Sequence, residues 1–345
     1  MENITRILVT KFRHHGDVLL VTPVFNALYR CYPSAKIDAL IYSDTLDMLS
    51  NHPFLNNIYT VKRKSGFFEN LRLLKSLGNN RYDMIINLTS NSRGAWLSRL
   101  LRPIISVAPV HAGWLYQNSF THLYKSVYGH RRHTVENNLD ALRCIGLIVN
   151  EEDKYLSLSI GAEIDAEVVG LLEKINYPSR GYILLHPTSR WLFKCWSEDK
   201  VAAVADRLID CGFTLLFTSG PDTREMEMIS RIQAMMTRSS ASLAGQLSLK
   251  QLAALIARAR LLVGVDSAPM HMAAALGTPV VALFGPSSEI DWGPWQVPSR
   301  IIVSDHTCRP CGLDGCGGGK HSECLETIAV ERVFNAALDL LGSVS

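Results

Sequence analysis

Short runs rich in β-branched and aliphatic residues alternate along the chain with longer stretches whose apolar positions recur at helical spacing. In the first half the strand-like runs are RILVTKF (6–12), KIDALIY (36–42), NIYTV (57–61), YDMIINL (82–88) and ISVAPV (105–110). Helical stretches such as DVLLVTPVFNALYRCY and FFENLRLLKSLG lie between them. The second half restarts the pattern with YILLHP (182–187), FTLLFTSG (213–220), LLVGVD (261–266), PVVALFG (279–285) and RIIVS (300–304). Its helical stretches are DKVAAVADRLIDCG, REMEMISRIQAMM, SLKQLAALIARA, SAPMHMAAAL and, last, AVERVFNAALDLL. Strands alternating with helices of 10–15 residues predict crossover units and parallel sheets, an α/β fold.

The chain has 345 residues, more than one core usually organises, so two domains are expected. The stretch 150–181 is more polar and acidic and ends in Pro178 and Gly181 before a fresh apolar strand. This predicts a first domain over 1–160, a linker over 161–180, a second domain over 181–327 and a terminal helical segment over 328–345. Two α/β domains of similar size leave a cleft between them, and in open α/β sheets ligands lie beyond the carboxyl ends of the strands.

Composition adds little until it is split. Hydrophobic residues are 47% and charged residues 19%, an ordinary globular balance. No apolar run approaches the roughly 18 residues of a membrane span, and the start MENITRILVTKF lacks the marks of a secretion signal. The expected location is the cytoplasm. Residues 1–150 hold 18 Lys+Arg and 9 Asp+Glu, or +9, while residues 151–345 hold 17 and 23, or −6; together they give the net +3. A basic first half suits an anionic partner on that side, although a solvated basic surface is the plainer reading.

Chemistry-bearing residues gather at four strand ends. In GVDSAPMHMAAALGTPVVALFGPS (264–287), Asp266, Ser267 and Ala268 fall on a strand-to-helix turn, with His271 one turn further on. Ser267 is a good N-cap and Pro269 fits a first helical turn. The amino end of such a helix can hold a diphosphate; a capped helix with a core histidine explains the same letters. In HPTSRWLFKCWSEDK (186–200), Thr188 and Ser189 offer hydroxyls and Lys194 a charge able to stabilise a departing diphosphate. Trp191 and Trp196 suit packing, and Ser197 is placed to cap the next helix. In FTSGPDTRE (217–225), Asp222 is either a ribose-binding acid or a helix cap. In KFRHHGDVLLVTP (11–23), Gly16 allows close backbone approach, Arg13, His14 and His15 surround it, and Asp17 is either a general base or a helix-capping acid. The glycines do not form GxGxxG, which counts against a dehydrogenase.

Four cysteines, Cys308, Cys311, Cys316 and Cys324, are spaced C-x2-C-x4-C-x7-C. The first pair has zinc-knuckle spacing but no second knuckle follows, so reduced thiols in a Gly-rich loop are favoured over a structural metal.

The motifs GD-V-(x)3-TP, HPTSRW(x)2KCW and GVDSAPMHMAAALGTPVVALFGPS together resemble the lipopolysaccharide heptosyltransferases of glycosyltransferase family 9, over nearly the whole chain. RHHGD, KCW and VDSAPMHMAAA resemble most the branch of that family that adds a heptose to the second heptose of the inner core. The resemblance implies a GT-B fold of two Rossmann-like domains facing a cleft, with the terminal helix crossing back to the first domain. It implies inverting transfer from ADP-L-glycero-β-D-manno-heptose, no required cofactor, and leaves open stimulation by Mg²⁺. Asp17 matches the family's proposed base and Lys194 its diphosphate-contacting lysine. Thr188 and Ser189 match hydroxyls near the phosphates. Asp266, Ser267, Ala268 and His271 match its donor motif, with Ala268 where many members have Gly, and Asp222 a ribose-binding acid. The acceptor, a lipopolysaccharide inner core, is expected over the basic first half. Arg13, His14, Gly16, Arg63 and Arg132 are candidates on that side, with Lys62, Lys64 and Arg131 adding charge toward core phosphates or the inner membrane's cytoplasmic face. Nucleic acid is not expected as a partner. The alternatives are a family member with a different acceptor, a UDP-sugar epimerase of the same fold, and a catalytically silent binding partner.

Overall fold

In the computed structural model, residues 4–127 and 132–343 are described; Arg131 lies outside them. The chain divides into two compact units, Met1–Ser159 and Ile160–Ser345.

The first unit follows the apolar runs. Its strands are β1 (Arg6–Lys11), β2 (Lys36–Tyr42), β3 (Asn57–Val61), β4 (Met84–Asn87), β5 (Ile105–Pro109) and β6 (His122–Tyr124). Its helices are α1 (His15–Leu19), α2 (Thr22–Cys31), α3 (Phe67–Gly78), α4 (Ser92–Leu101), α5 (Trp114–Gln117) and α6 (Thr134–Arg143). The strands pair in parallel in the order β3-β2-β1-β4-β5-β6. The single helix expected over 17–32 is two. Pro23, second residue of α2, has no N–H for an intrahelical bond and its ring crowds the preceding turn, so the chain restarts there.

The second unit repeats the plan with β7 (Ile183–His186), β8 (Leu215–Phe217), β9 (Ala241–Ser242), β10 (Leu261–Val265), β11 (Val280–Leu283) and β12 (Ser299–Ile302), ordered β12-β11-β10-β7-β8-β9, again all parallel. Its helices are α7 (Ala162–Lys174), α8 (Glu198–Asp210), α9 (Thr223–Met235), α10 (Leu249–Arg258), α11 (Ala268–Leu276), α12 (Glu289–Trp292), α13 (Glu323–Glu326) and α14 (Val330–Ser343). Each sheet therefore runs outward from its first strand and then returns to that strand's other side. The reversal falls between β1 and β4 in one unit and between β7 and β10 in the other, where the crossovers part and leave room for a ligand.

One expectation is corrected. The stretch 161–180 is not a free linker. It contains α7, which buries Val168 and Leu172, and Asp165 pairs with Arg258 of α10 at 2.6 Å. Its polar letters are the solvent face of an amphipathic helix. The terminal helix α14 contributes its apolar face to the second unit. Val333, Ala337, Leu340 and Leu341 are buried in that unit's own core with Ala205 of α8 and Val281 of β11. A period-3.6 apolar face needs the nearest apolar surface, and its own sheet supplies it.

Two buried histidines, one in each unit, are held neutral by their surroundings. His52 and His186 are both lowered by burial from 6.5 to about 4. The unfolded chain takes up protons first as pH falls, so this stabilisation is full above pH 6.5 and is lost progressively between 6.5 and 4. At pH 5 the loss is roughly 2 kcal/mol per ring. Denaturant midpoints should drop from pH 7 to pH 5, and His52→Phe should remove part of that drop. An unchanged pH slope in the variant would show that His52 is not one of the groups responsible.

Candidate active site

At the reversal of the second sheet, β7 and β10 pair directly, with Gly264 opposite His186. A Cβ on Gly264 would sit 2.9 Å from the His186 carbonyl oxygen, so only glycine fits there. The His186 ring, 3.0 Å from the Thr218 hydroxyl and neutral, is a structural strand end rather than an acid–base group. Beyond it the chain turns through Thr188 and Ser189, both buried, into a 3-10 turn, Leu192–Lys194. Ser322 donates to the Phe193 carbonyl at 2.6 Å and fixes that turn.

The turn carries Lys194 to the end of β10. Its Nζ lies 2.5 Å from Asp266 Oδ2, and both side chains are largely buried, at 17% and 8% exposure. Nζ is also 5.2 Å from the Trp191 ring centroid. Two letters 72 positions apart thus form one charged pair beyond the carboxyl ends of the two central strands. Trp196 is buried in the core, as expected of a packing residue.

Asp266 leads directly into α11. Ser267 holds the N-cap position and Ala268 the first helical position, and Gly277 closes the helix at φ 73°. The Ser267 side chain makes no capping bond, and neither does that of Ser197 before α8. Pro269 has no N–H and Met270 donates to the Ser267 carbonyl at 3.1 Å, so the amino end of α11 offers fewer outward donors than a generic helix. His271 is buried within α11, 4% exposed.

The acid reading of FTSGPDTRE shifts by three residues. Asp222 is the N-cap of α9: its Oδ1 accepts from the Arg224 backbone N–H and side-chain Nε, both at 3.0 Å. Those bonds hold its carboxyl down at about 2. The acid turned inward is Glu225, 7% exposed, whose Oε2 accepts from Thr188 at 2.7 Å and from the Gly220 N–H at 3.2 Å. Glu225 sits three residues after the cap, where an acid reads as a capping partner, so its letters alone do not mark it as inward.

At the reversal of the first sheet, α1 begins three residues after Phe12, with His14 as its N-cap. Gly16 and Asp17 lie in its first turn, and Asp17 Oδ2 accepts a long bond, 3.4 Å, from the His14 N–H. Arg63 gathers this segment. Its guanidinium donates to Asp44 at 2.9 Å and to the Arg13 carbonyl at 3.2 Å, lies 3.4 Å from His14 Nδ1, and covers the Tyr42 ring at 4.5 Å. Arg93, not anticipated from the sequence, lies 5.4 Å above the Phe12 ring, and its buried Nη1 has no partner among the described residues. Arg132 is elsewhere, committed to Asp140 at 2.5 Å and Glu136 at 3.2 Å on α6.

Beneath Asp17 is a second residue the sequence reading passed over. Lys11, 3% exposed, donates to the Leu88 carbonyl and to Asn138 Oδ1, both at 3.1 Å. Burial lowers its ammonium to about 8, and the Asp17 carboxylate offsets part of that. A lone lysine inside RILVTKF was the available signal.

All eight cysteines are free thiols. Cys324 is buried, with burial raising its thiol, and Cys308, Cys311 and Cys316 are near enough to raise it further. Among the described residues, no three His, Cys, Asp or Glu side chains form a group that could hold a metal ion. The loop is instead anchored by Arg309, which donates to the Gly285 carbonyl at 2.7 Å and to Glu289 at 2.9 Å.

Comparison with known proteins decides the family. Residues 70–320 match the profile described as "Glycosyltransferase family 9 (heptosyltransferase)". The chain belongs to glycosyltransferase family 9. It is 37% identical over 300 residues to "Lipopolysaccharide heptosyltransferase 3" of Escherichia coli, covering 82% of this chain and 84% of that one. Among solved structures, E. coli ADP-heptose lps heptosyltransferase II superposes with a TM-score of 0.79 at 24% identity, covering 99% of each chain. "E. coli heptosyltransferase WaaC with ADP" does so at 0.76 and 18%, covering 97% of this chain and 100% of that one. As a family-9 member the chain is a glycosyltransferase of the α/β, GT-B class, and its two parallel six-stranded sheets are those of that class. Its similarity to heptosyltransferase 3 agrees with the motif forms RHHGD and KCW.

Proposed function

We propose that this family-9 transferase moves L-glycero-D-manno-heptose from ADP-L-glycero-β-D-manno-heptose to the second heptose of the lipopolysaccharide inner core, with inversion. The observation that carries the donor half is the Lys194–Asp266 pair at the carboxyl ends of β7 and β10. A cation fixed there is placed for a diphosphate, and a relative of the same fold has been solved with ADP. Thr188, Ser189, Ser267, Ala268 and His271 complete the donor side; Asp222 is assigned no more than its helix-capping bond. The acceptor half is supported by the heptosyltransferase 3 relative.

In the proposed step the acceptor hydroxyl gives its proton to the Asp17 carboxylate as its oxygen attacks the anomeric carbon. The bond from that carbon to the diphosphate oxygen breaks, and ADP leaves with the electron pair. Lys194 stabilises the charge that develops on the departing diphosphate. Arg13, His14, Gly16, Arg63 and Arg93 form the acceptor side near Asp17, whereas Arg132 is tied to α6. The acceptor is an amphiphile, so the reading includes peripheral contact with the cytoplasmic face of the inner membrane. No helix among the described residues is long and apolar enough to cross a membrane.

ADP release is measured with ADP-heptose and de-acylated core acceptors ending in one heptose or in two. Release with the two-heptose acceptor alone is expected. Release with the one-heptose acceptor would reassign the step to the second heptose addition. ADP binding without release on either would overturn the acceptor assignment.

A further inference from the structure

The first unit carries an outer face that its own core does not explain. Helices α3, α4 and α5 lie side by side, and their inner faces are accounted for. Leu77 and Leu97 are buried in one cluster, and Ala95 and Tyr116 in the next. The outer faces should then be polar. Instead Phe67, Phe68, Trp96 and Trp114 are 63–76% exposed, with Leu100 at 55% and Leu115 at 62%.

These side chains form one surface. The Arg93 guanidinium on the first turn of α4 donates to the Ser65 hydroxyl, two residues before α3, at 3.3 Å. Arg99, on the same outward stripe as Trp96, reaches the Leu115 carbonyl of α5 at 3.5 Å. Phe67 and Phe68 meet edge to face, with centroids 5.7 Å apart. Basic residues run through the aromatic ones. Residues 62–78 contain five Lys+Arg and residues 92–117 three, eight in all, against the single acid Glu69. Glu69 is itself paired with Lys62 at 3.0 Å.

We propose that the α3–α4–α5 face docks on an anionic lipid bilayer, with Phe67, Phe68, Trp96 and Trp114 entering the headgroup region and the arginines and lysines meeting lipid phosphates. The charge pattern selects this partner. The core of a protein–protein interface is depleted of charge, and a face dense in one sign repels a second copy of itself. Tryptophan and phenylalanine interleaved with lysine and arginine at one-turn spacing match a leaflet's layered chemistry of phosphate above acyl chain. Arginine stems can lie along the apolar ridge while their heads reach outward. The inference deepens the peripheral-contact part of the proposed function and rests on it, but it does not depend on which sugar is moved.

The full chain is sedimented with phosphatidylcholine vesicles with and without phosphatidylglycerol, at low and high salt. Binding to the anionic vesicles alone, weakened by salt, is expected. Trp96→Ser/Trp114→Ser should lower the affinity by at least about tenfold, since each removed ring takes apolar area out of the headgroup layer. Phe67→Ser/Phe68→Ser should act likewise. These side chains are exposed, so the variants should keep the wild-type melting temperature, ADP affinity and rate on a soluble acceptor. No binding, equal binding to neutral vesicles, or binding that the aromatic variants leave unchanged would overturn the proposal. So would a concentration-dependent dimer that the same variants disperse, which would make the face an interface between copies. Vesicle binding without transfer on any core acceptor would sink the catalytic reading and leave this one standing.

Discussion

Asp17→Asn abolishes most turnover, by a factor of about 10²–10⁴, while ADP binds with nearly unchanged affinity. Asparagine has the size of aspartate and can still accept the 3.4 Å bond from the His14 N–H, so α1 and its position after β1 persist. What disappears is the basic carboxylate that takes the acceptor's proton. A purely capping role would predict a nearly normal rate as well as an unchanged melting temperature, because asparagine keeps the capping bond. A second consequence is internal. The Asp17 carboxylate offsets part of the burial that lowers Lys11 to about 8. Without it, the Lys11 ammonium titrates lower still. Calorimetry with ADP, initial rates and thermal melts on one preparation separate the two roles. A variant that keeps more than about a tenth of the wild-type rate ends the base assignment.

Much of this arrangement was legible because parallel strands covered on both faces are written as continuous apolar runs. RILVTKF, KIDALIY and LLVGVD each became a strand within a residue or two of the run's ends. The strands that escaped, β6 and β9, are three and two residues long, too short to show a period. Helix α4 escaped because SRGAWLSRLL mixes a glycine with outward aromatic and basic residues, and its moment is blurred by the face that does not point to the core. Asp17, Lys194 and Asp266 stand out in the letters because each ends or follows a strand. Glu225 and Lys11 do not, since what marks them is burial and long-range partners, Thr188 for one and Asn138 for the other. Arg132 misled in the opposite sense. A basic residue in a basic half looks available until Glu136 and Asp140 of α6 are seen to hold it.

Lys194→Met lowers the rate by about 10²–10³, the usual effect of removing one group that stabilises developing charge. It also destabilises the second unit, and the two effects need separating. With both partners largely buried, removing the lysine leaves the Asp266 carboxylate without its cation, a change that costs on the order of 3–5 kcal/mol in buried pairs. A slow, unstable variant by itself would therefore say little about catalysis. Asp266→Asn combined with Lys194→Met removes both charges. Replacing a buried pair by neutral groups is often close to neutral, so the double variant should regain most of the lost stability. It should regain none of the rate, because no cation remains for the departing diphosphate. If instead rate and melting temperature recover together, Lys194 is a structural partner of Asp266 and the diphosphate must be stabilised elsewhere. The same geometry sets a second expectation. A lysine held at 2.5 Å by a carboxylate can serve a diphosphate only by sharing its protons with it. Asp266→Asn alone should therefore tighten ADP binding at the freed lysine while weakening the selectivity for the intact sugar donor over ADP. Titration of both ligands against that variant measures how far Asp266 restrains Lys194 and how far it reads the sugar.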